Sequence, residues 1–116
     1  MDFTRIFTDS EGNSHFETIP VHMEAKTDIG FYSTPEEKIS RMYFQHALPH
    51  HEWPFHSVKD KIQLVFLKGI MEFEVSNGER KQFGPGDVVL LDDHSGQGHK
   101  GRTWENTATV LAIHFK

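Results

Sequence analysis

Lys68 to His99, KGIMEFEVSNGERKQFGPGDVVLLDDHSGQGH, constrains this chain more than any other stretch. Met71, Phe73 and Val75 alternate with Glu72, Glu74 and Ser76, the period of two that belongs to a half-buried strand. Asn77-Gly78 follows at once, and because both residues tolerate positive φ the pair is a strong hairpin signal. Glu79 to Phe83 reads as the return strand. Gly84-Pro85-Gly86-Asp87 is a second turn, in which Pro fixes φ and Gly supplies freedom. Val88 to Leu91 is a short apolar strand, and the turn Asp92 to Gly98 then delivers His99. Strand, turn, strand, turn, strand at this spacing predicts an all-β chain.

The flanks extend the pattern. Thr4 to Asp9 reads as a first strand, the polar run Asp9 to Ser14 as a turn, and His15 to Met23 as a return strand. Pro20 inside that run demotes it to an edge or irregular strand. Glu24 to Tyr32 has no clear period and is expected to run over the outside. Thr34-Pro35-Glu36-Glu37 carries a helix-start signature, an N-cap followed by Pro and two acids. Beyond it, Ile39, Met42, Tyr43 and Ala47 fit a helical face, while Met42, Phe44, His46 and Leu48 fit a strand face equally well. Leu48 to Ser57, LPHHEWPFHS, is broken by Pro49 and Pro54 and concentrates histidines and aromatics. Lys61 to Leu67 is a strand with apolar residues on both faces, and Thr107 to Phe115 is the closing strand.

The segment Gly69 to His99 resembles small single-domain cupins, especially bacterial ones whose second motif ends in an acidic turn and Gly-x-Gly-His. The resemblance runs from about His56 to the C-terminus and is weaker before that. It implies a double-stranded β-helix, the cupin jelly-roll barrel, with at most one short helical turn. It also favours a strand over a helix from Ile39 to Ala47. One domain over residues 1–116 is expected, with N-terminal strands in 1–48 and the barrel motifs in 49–116. Such a fold does not by itself imply one reaction.

Composition narrows the function classes. At 116 residues the chain is long enough for one modest core. A net charge of −5, with acids scattered among bases, argues against a nucleic-acid partner. Cysteine is absent, so there is neither a disulfide framework nor a thiolate site. Met1 to Asn13 has no apolar core of a signal peptide, and no run approaches the ~20 apolar residues of a membrane span. A cytoplasmic protein without a membrane partner is the default expectation.

The chemistry on offer is that of nine histidines. Neutral imidazole is the commonest metal ligand, and two or three with open positions suit Zn, Fe, Ni or Cu, whereas Mn prefers some oxygen. In metal-binding cupins the first motif reads His-x-His, three or four residues, Glu, six residues, Gly, and the second motif adds a His. Counted back from Gly69, the Glu place falls on Ile62 and the two His places on Phe55 and Ser57, with His56 between them. A bulge would be needed to turn His56 inward, since one step along a strand reverses the side chain. His99 matches the second motif. His99 and His56, joined by His51 of the same histidine-rich stretch, are the candidate metal ligands; Gln63, one place from the missing acid, and Trp53 and Phe55, as an aromatic lip, are the candidate pocket residues. Asp92 and Asp93 could orient His99; as ordinary turn acids they would be solvated. His94 reads as an exposed turn residue, and His46 and His114 either line the pocket or, the favoured reading, are hydrogen-bonded histidines at a sheet surface. There is no phosphate-binding Gly-rich loop and no serine nucleophile elbow.

The expected function is binding of a small molecule in a His-rich barrel pocket, with a divalent metal as the candidate cofactor. The alternatives are a metal-dependent dioxygenase or isomerase, and a non-catalytic structural or sensing barrel. A homodimer is expected as well. If Ile62, Leu64 and Phe66 face the barrel, then Gln63, Val65 and Leu67 face out, and a domain this small has difficulty covering both faces.

Overall fold

Alternation in sequence becomes two faces in the fold. The computed structural model describes residues 1–116 and consists of twelve strands with no helix. They are β1 (Asp2–Thr8), β2 (Ser14–Pro20), β3 (Glu24–Lys26), β4 (Phe31–Ser33), β5 (Ile39–Ala47) and β6 (Glu52–His56). The rest are β7 (Ile62–Lys68), β8 (Met71–Val75), β9 (Arg80–Phe83), β10 (Val88–Asp92), β11 (His99–Arg102) and β12 (Ala108–Phe115). A six-stranded sheet runs β2-β1-β10-β7-β12-β5 and a four-stranded sheet runs β6-β11-β8-β9. β3 and β4 form a separate hairpin. Within the large sheet only β1 and β10 pair in parallel.

The core lies between the two sheets. Leu64 and Phe66 of β7 and Val110 and Ala112 of β12 face Met71, Phe73 and Val75 of β8. Phe66, Phe73 and Phe83 form an aromatic triangle, with centroids 5.8 Å apart for Phe66–Phe83 and 5.6 Å for Phe73–Phe83. Burying one such ring contributes on the order of 2 kcal/mol, and its offset contacts add to that.

The other face of the large sheet is also apolar. Cross-strand partners align Phe44, Leu111, Val65 and Val88 in one row. Met42, Ile113, Gln63 and Leu90 form the next row. Met42 and Phe44 on the edge strand β5 are exposed, at 53% and 67%. Gln63, Val65 and Leu67 therefore lie on the outside, and Leu64 and Phe66 on the inside.

Ile39–Ala47 is a strand, as expected, held by nearly full-length pairing with β12, and the helix-start signature at Thr34 to Glu37 produces no helical turn. Two expectations are revised. Glu24 to Tyr32 contributes to the short β3–β4 hairpin, whose large side chains Phe31 and Tyr32 are exposed. The Pro-containing stretch around Trp53 is a strand, β6, at the edge of the small sheet, where a missing N–H is tolerated. No helix is long and apolar enough to cross a membrane.

Candidate functional site

The site is built where β6 meets β11. His99 and His56 are paired residues of these neighbouring strands, and Gly101 pairs with Trp53. Two steps along β11 thus match three along β6, a β-bulge at Pro54–Phe55. The bulge turns both Trp53 and His56 toward the barrel although they are three residues apart. Gly98 makes the approach possible: it has φ +73°, and a Cβ there would collide with the His56 carbonyl. Gly96, with φ +68°, presses in the same way on Gly12, which anchors the acidic turn to the β1–β2 turn.

A cavity of about 410 Å³ opens between the sheets. Its walls are mostly apolar, with Leu64, Phe73 and Val110 among them, and Tyr43, His51, Trp53, His56 and His99 also line it. His99 is buried, at 3% exposure, whereas His56 is exposed at the mouth. Their ring centroids are 4.7 Å apart.

Each ring is oriented by an acceptor behind it. His99 Nδ1 lies 2.6 Å from Asp93 Oδ2, and His56 Nδ1 lies 3.0 Å from the Pro54 carbonyl. Carboxylates and carbonyls only accept, so in the neutral rings Nδ1–H donates and Nε2 keeps its lone pair. Asp93 is fully buried, and its other oxygen, Oδ1, has no hydrogen-bond partner.

A second chain of hydrogen bonds reaches the same cavity from the large sheet. Asp60 Oδ2 lies 3.1 Å from His114 Nδ1, and His114 Nε2 lies 2.8 Å from the Tyr43 hydroxyl. Asp60 fixes the proton on Nδ1, so Nε2 accepts and the Tyr43 O–H donates to it. His114 is buried, at 4% exposure. The β6–β7 connection serves both chains of hydrogen bonds: His56 at the end of β6, Val58 in the loop and Ile62 at the start of β7 line the cavity, and Asp60 in the loop holds His114.

His94 lies outside the cavity and behaves differently. Its Nδ1 donates to the Val58 carbonyl at 3.0 Å and its Nε2 to Asp92 Oδ1 at 2.6 Å. Two acceptors on one ring suit the imidazolium. Partial burial works against that charge, but the Val58 carbonyl and the Asp92 carboxylate outweigh it, so the pKa is raised above 6.5. For Asp92, burial pushes the pKa up, but Arg5 Nε at 2.8 Å and His94 prevail and hold it below 3.8.

The nominated residues therefore divide. Trp53, His51, His56 and His99 share the cavity. Gln63 does not line it, because it faces outward with Val65. Phe55 does not either: it lies on the outer side of the bulge, with the Lys100 ammonium 5.9 Å from its ring. The expected trio of metal ligands is not assembled, since no group of three His, Asp or Glu side chains is placed to hold an ion. His51 instead packs on Trp53, with centroids 4.5 Å apart. With three residues rather than four before the acid, His56 takes the first His place of the cupin motif. The second then falls on Val58 and the carboxylate on Ile62, both apolar. Two imidazoles fall short of the three protein ligands usual in a catalytic site. Of the two acids, Asp93 orients His99, while Asp92 pairs with Arg5 and His94. Sequence reasoning missed Tyr43 and Asp60; the alternation of Tyr43, Gln45 and Ala47 along β5 is the signal that placed Tyr43 inward.

No protein-family model matches the chain, and none of the curated proteins matches it. Solved structures do. The DMSP lyase DddQ from Ruegeria pomeroyi superposes with a TM-score of 0.57 at 23% identity, over 75% of this chain and 42% of that one. The polyketide cyclase RemF from Streptomyces resistomycificus gives 0.55 at 20% identity, over 64% and 52%. A cupin-2 domain containing protein from Shewanella frigidimarina gives 0.51 at 14% identity, over 78% and 89%. The chain spans less than half the length of the lyase it matches. With its two facing sheets and the strand order above, the chain has the jelly-roll fold of these cupin structures, a barrel open at a histidine-lined end.

Proposed function

We propose that the protein binds a small organic molecule in the cavity between its sheets, with His56 and His99 as the polar anchor. The observation that carries this reading is the pairing of a mostly apolar cavity with two convergent imidazoles, one buried and backed by a carboxylate. Few polar groups set precisely in an apolar lining is the usual make-up of a ligand site. The test is a fragment screen by thermal shift on the wild type and on His99→Ala. Hits that stabilise the former and not the latter support the reading; hits unaffected by His99→Ala, or none, count against it.

A divalent metal is the second reading. It is favoured by the Asp93–His99 contact, the kind of outer partner that orients metal-binding histidines. The ligands would be His56 and His99, completed by water or by the bound molecule. Such a site would be weak, because Ile62 removes the anionic donor. Metal analysis of protein made without a His-tag decides: a stoichiometric ion supports this reading, and its absence with retained fragment binding removes it. The enzyme alternatives rest on that outcome, and the lyase and cyclase neighbours share only the fold with this chain.

Self-association is part of the proposal. The apolar rows across β5, β12, β7 and β10 fit a second copy packing sheet on sheet, and the free edge of β5 fits strand exchange.

A further inference from the structure

The hydrogen-bond polarity of the cavity narrows the ligand class, given that the cavity binds a small molecule as proposed above. Asp93, the Pro54 carbonyl and Asp60 can only accept. Each fixes a donor proton on the side away from the cavity: on Nδ1 of His99, Nδ1 of His56 and Nδ1 of His114. His114 then takes the Tyr43 hydroxyl proton. What these four side chains leave toward the cavity is lone pairs, on Nε2 of His99, Nε2 of His56 and the oxygen of Tyr43; Gln45, His46 and His51, the other polar residues of the lining, can each accept as well as donate.

Charge points the same way. No Lys or Arg lines the cavity, so nothing there is built to pair with a carboxylate or phosphate. Behind His99 lies the fully buried Asp93, with Oδ1 unpartnered and its other oxygen held by a single imidazole. As a carboxylate, Asp93 would make the adjoining space favourable to positive charge. The walls add the aromatic rings of Trp53 and Phe73, and a ring face turned to a cation attracts it through its quadrupole.

We infer that the cavity selects a small organic cation, a protonated amine on an apolar body, held by the lone pairs of His56, His99 and Tyr43. Tyr43 is a binding residue in this account. His114 and Asp60 are positioning residues, which keep the hydroxyl proton turned away from the ligand.

Four probes of nearly one shape test it: benzylamine, protonated at neutral pH, benzyl alcohol, benzoate, and toluene as the apolar control. Calorimetric titration of the wild-type protein should rank benzylamine first, by about tenfold or more over benzyl alcohol, the scale of a charge-assisted hydrogen bond, with benzoate last. Tyr43→Phe should weaken benzylamine about two- to tenfold, the worth of one hydrogen bond, and leave toluene binding unchanged. Asp60→Asn, at a half-exposed position, should reproduce part of that loss, because its side-chain amide can donate to His114 and turn the tautomer. Benzoate binding as tightly as benzylamine would overturn the inference while leaving the cavity a ligand site. Equal benzylamine affinity in wild type and Tyr43→Phe would overturn the role of Tyr43. If none of the probes binds, toluene included, the small-molecule reading falls and this inference with it.

Discussion

Neighbouring histidines in this chain do opposite things because their partners differ. His94 donates from both nitrogens, His99 from one. This separates two predictions. His99→Ala should abolish binding at the cavity, of fragment or of metal, and His94→Ala should leave it nearly unchanged; parallel titrations of the two variants check this. The His94 pair instead governs stability. The raised pKa of His94 gives stabilisation that is complete below 6.5 and is lost as pH rises through its folded value. The lowered pKa of Asp92 gives stabilisation that is complete above 3.8 and is lost as pH falls through its folded value. The Arg5–Asp92–His94 cluster should therefore contribute most between pH 3.8 and 6.5. Asp92→Asn should lower Tm most in that window and less at pH 8, in thermal melts across pH. At this scale the sequence revealed His99, through Gly-x-Gly-His, but offered Asp92 and Asp93 alike, as orienting acceptors or as solvated turn acids; only Asp93 contacts His99, and it is buried. The sequence could not reveal the Tyr43–His114–Asp60 chain, whose links join residues 71 and 54 positions apart.

Among the elements, hairpins were legible because their turns are local chemistry. Asn77-Gly78 and the Gly84–Asp87 turn fall between strands, as their residue types require. β6 was less legible, because its place depends on tertiary packing. Pro54 argues against a strand by propensity, yet the edge position and the bulge accommodate it. Whether His56 turned inward depended on that bulge, a property of two strands together. Gly98 is the hinge of the arrangement. Gly98→Ala places a Cβ into the His56 backbone and forces a left-handed φ on a residue that resists it. It should cost at least ~1–2 kcal/mol in denaturant unfolding and weaken cavity ligands by moving β6 away. Unchanged stability and binding would mean that β6 and the turn are not packed this closely. The alanine variant at Gly78 shares the positive φ but meets no neighbour, so it should be the milder of the two.

For the whole molecule, both faces of the large sheet are apolar, and the barrel interior covers only one of them. The account predicts a dimer in sedimentation experiments, and Phe44→Lys or Val65→Lys should shift it to one chain. A single-chain mass at every concentration in the wild type would contradict this. The barrel architecture was readable from strand spacing and turn chemistry. The outward face of Gln63, Val65 and Leu67 followed from alternation once Leu64 and Phe66 were assigned inside. The cavity's polarity was not readable, because it depends on which acceptor stands behind each ring. The central claim is that a small molecule enters the barrel and meets His56 and His99. It is tested most directly by following the imidazole NMR signals of all nine histidines while a fragment hit is titrated in. The account predicts that the His56 and His99 signals shift together and saturate, while His22 and His94 stay in place. Saturable shifts elsewhere with His56 and His99 unmoved would contradict it.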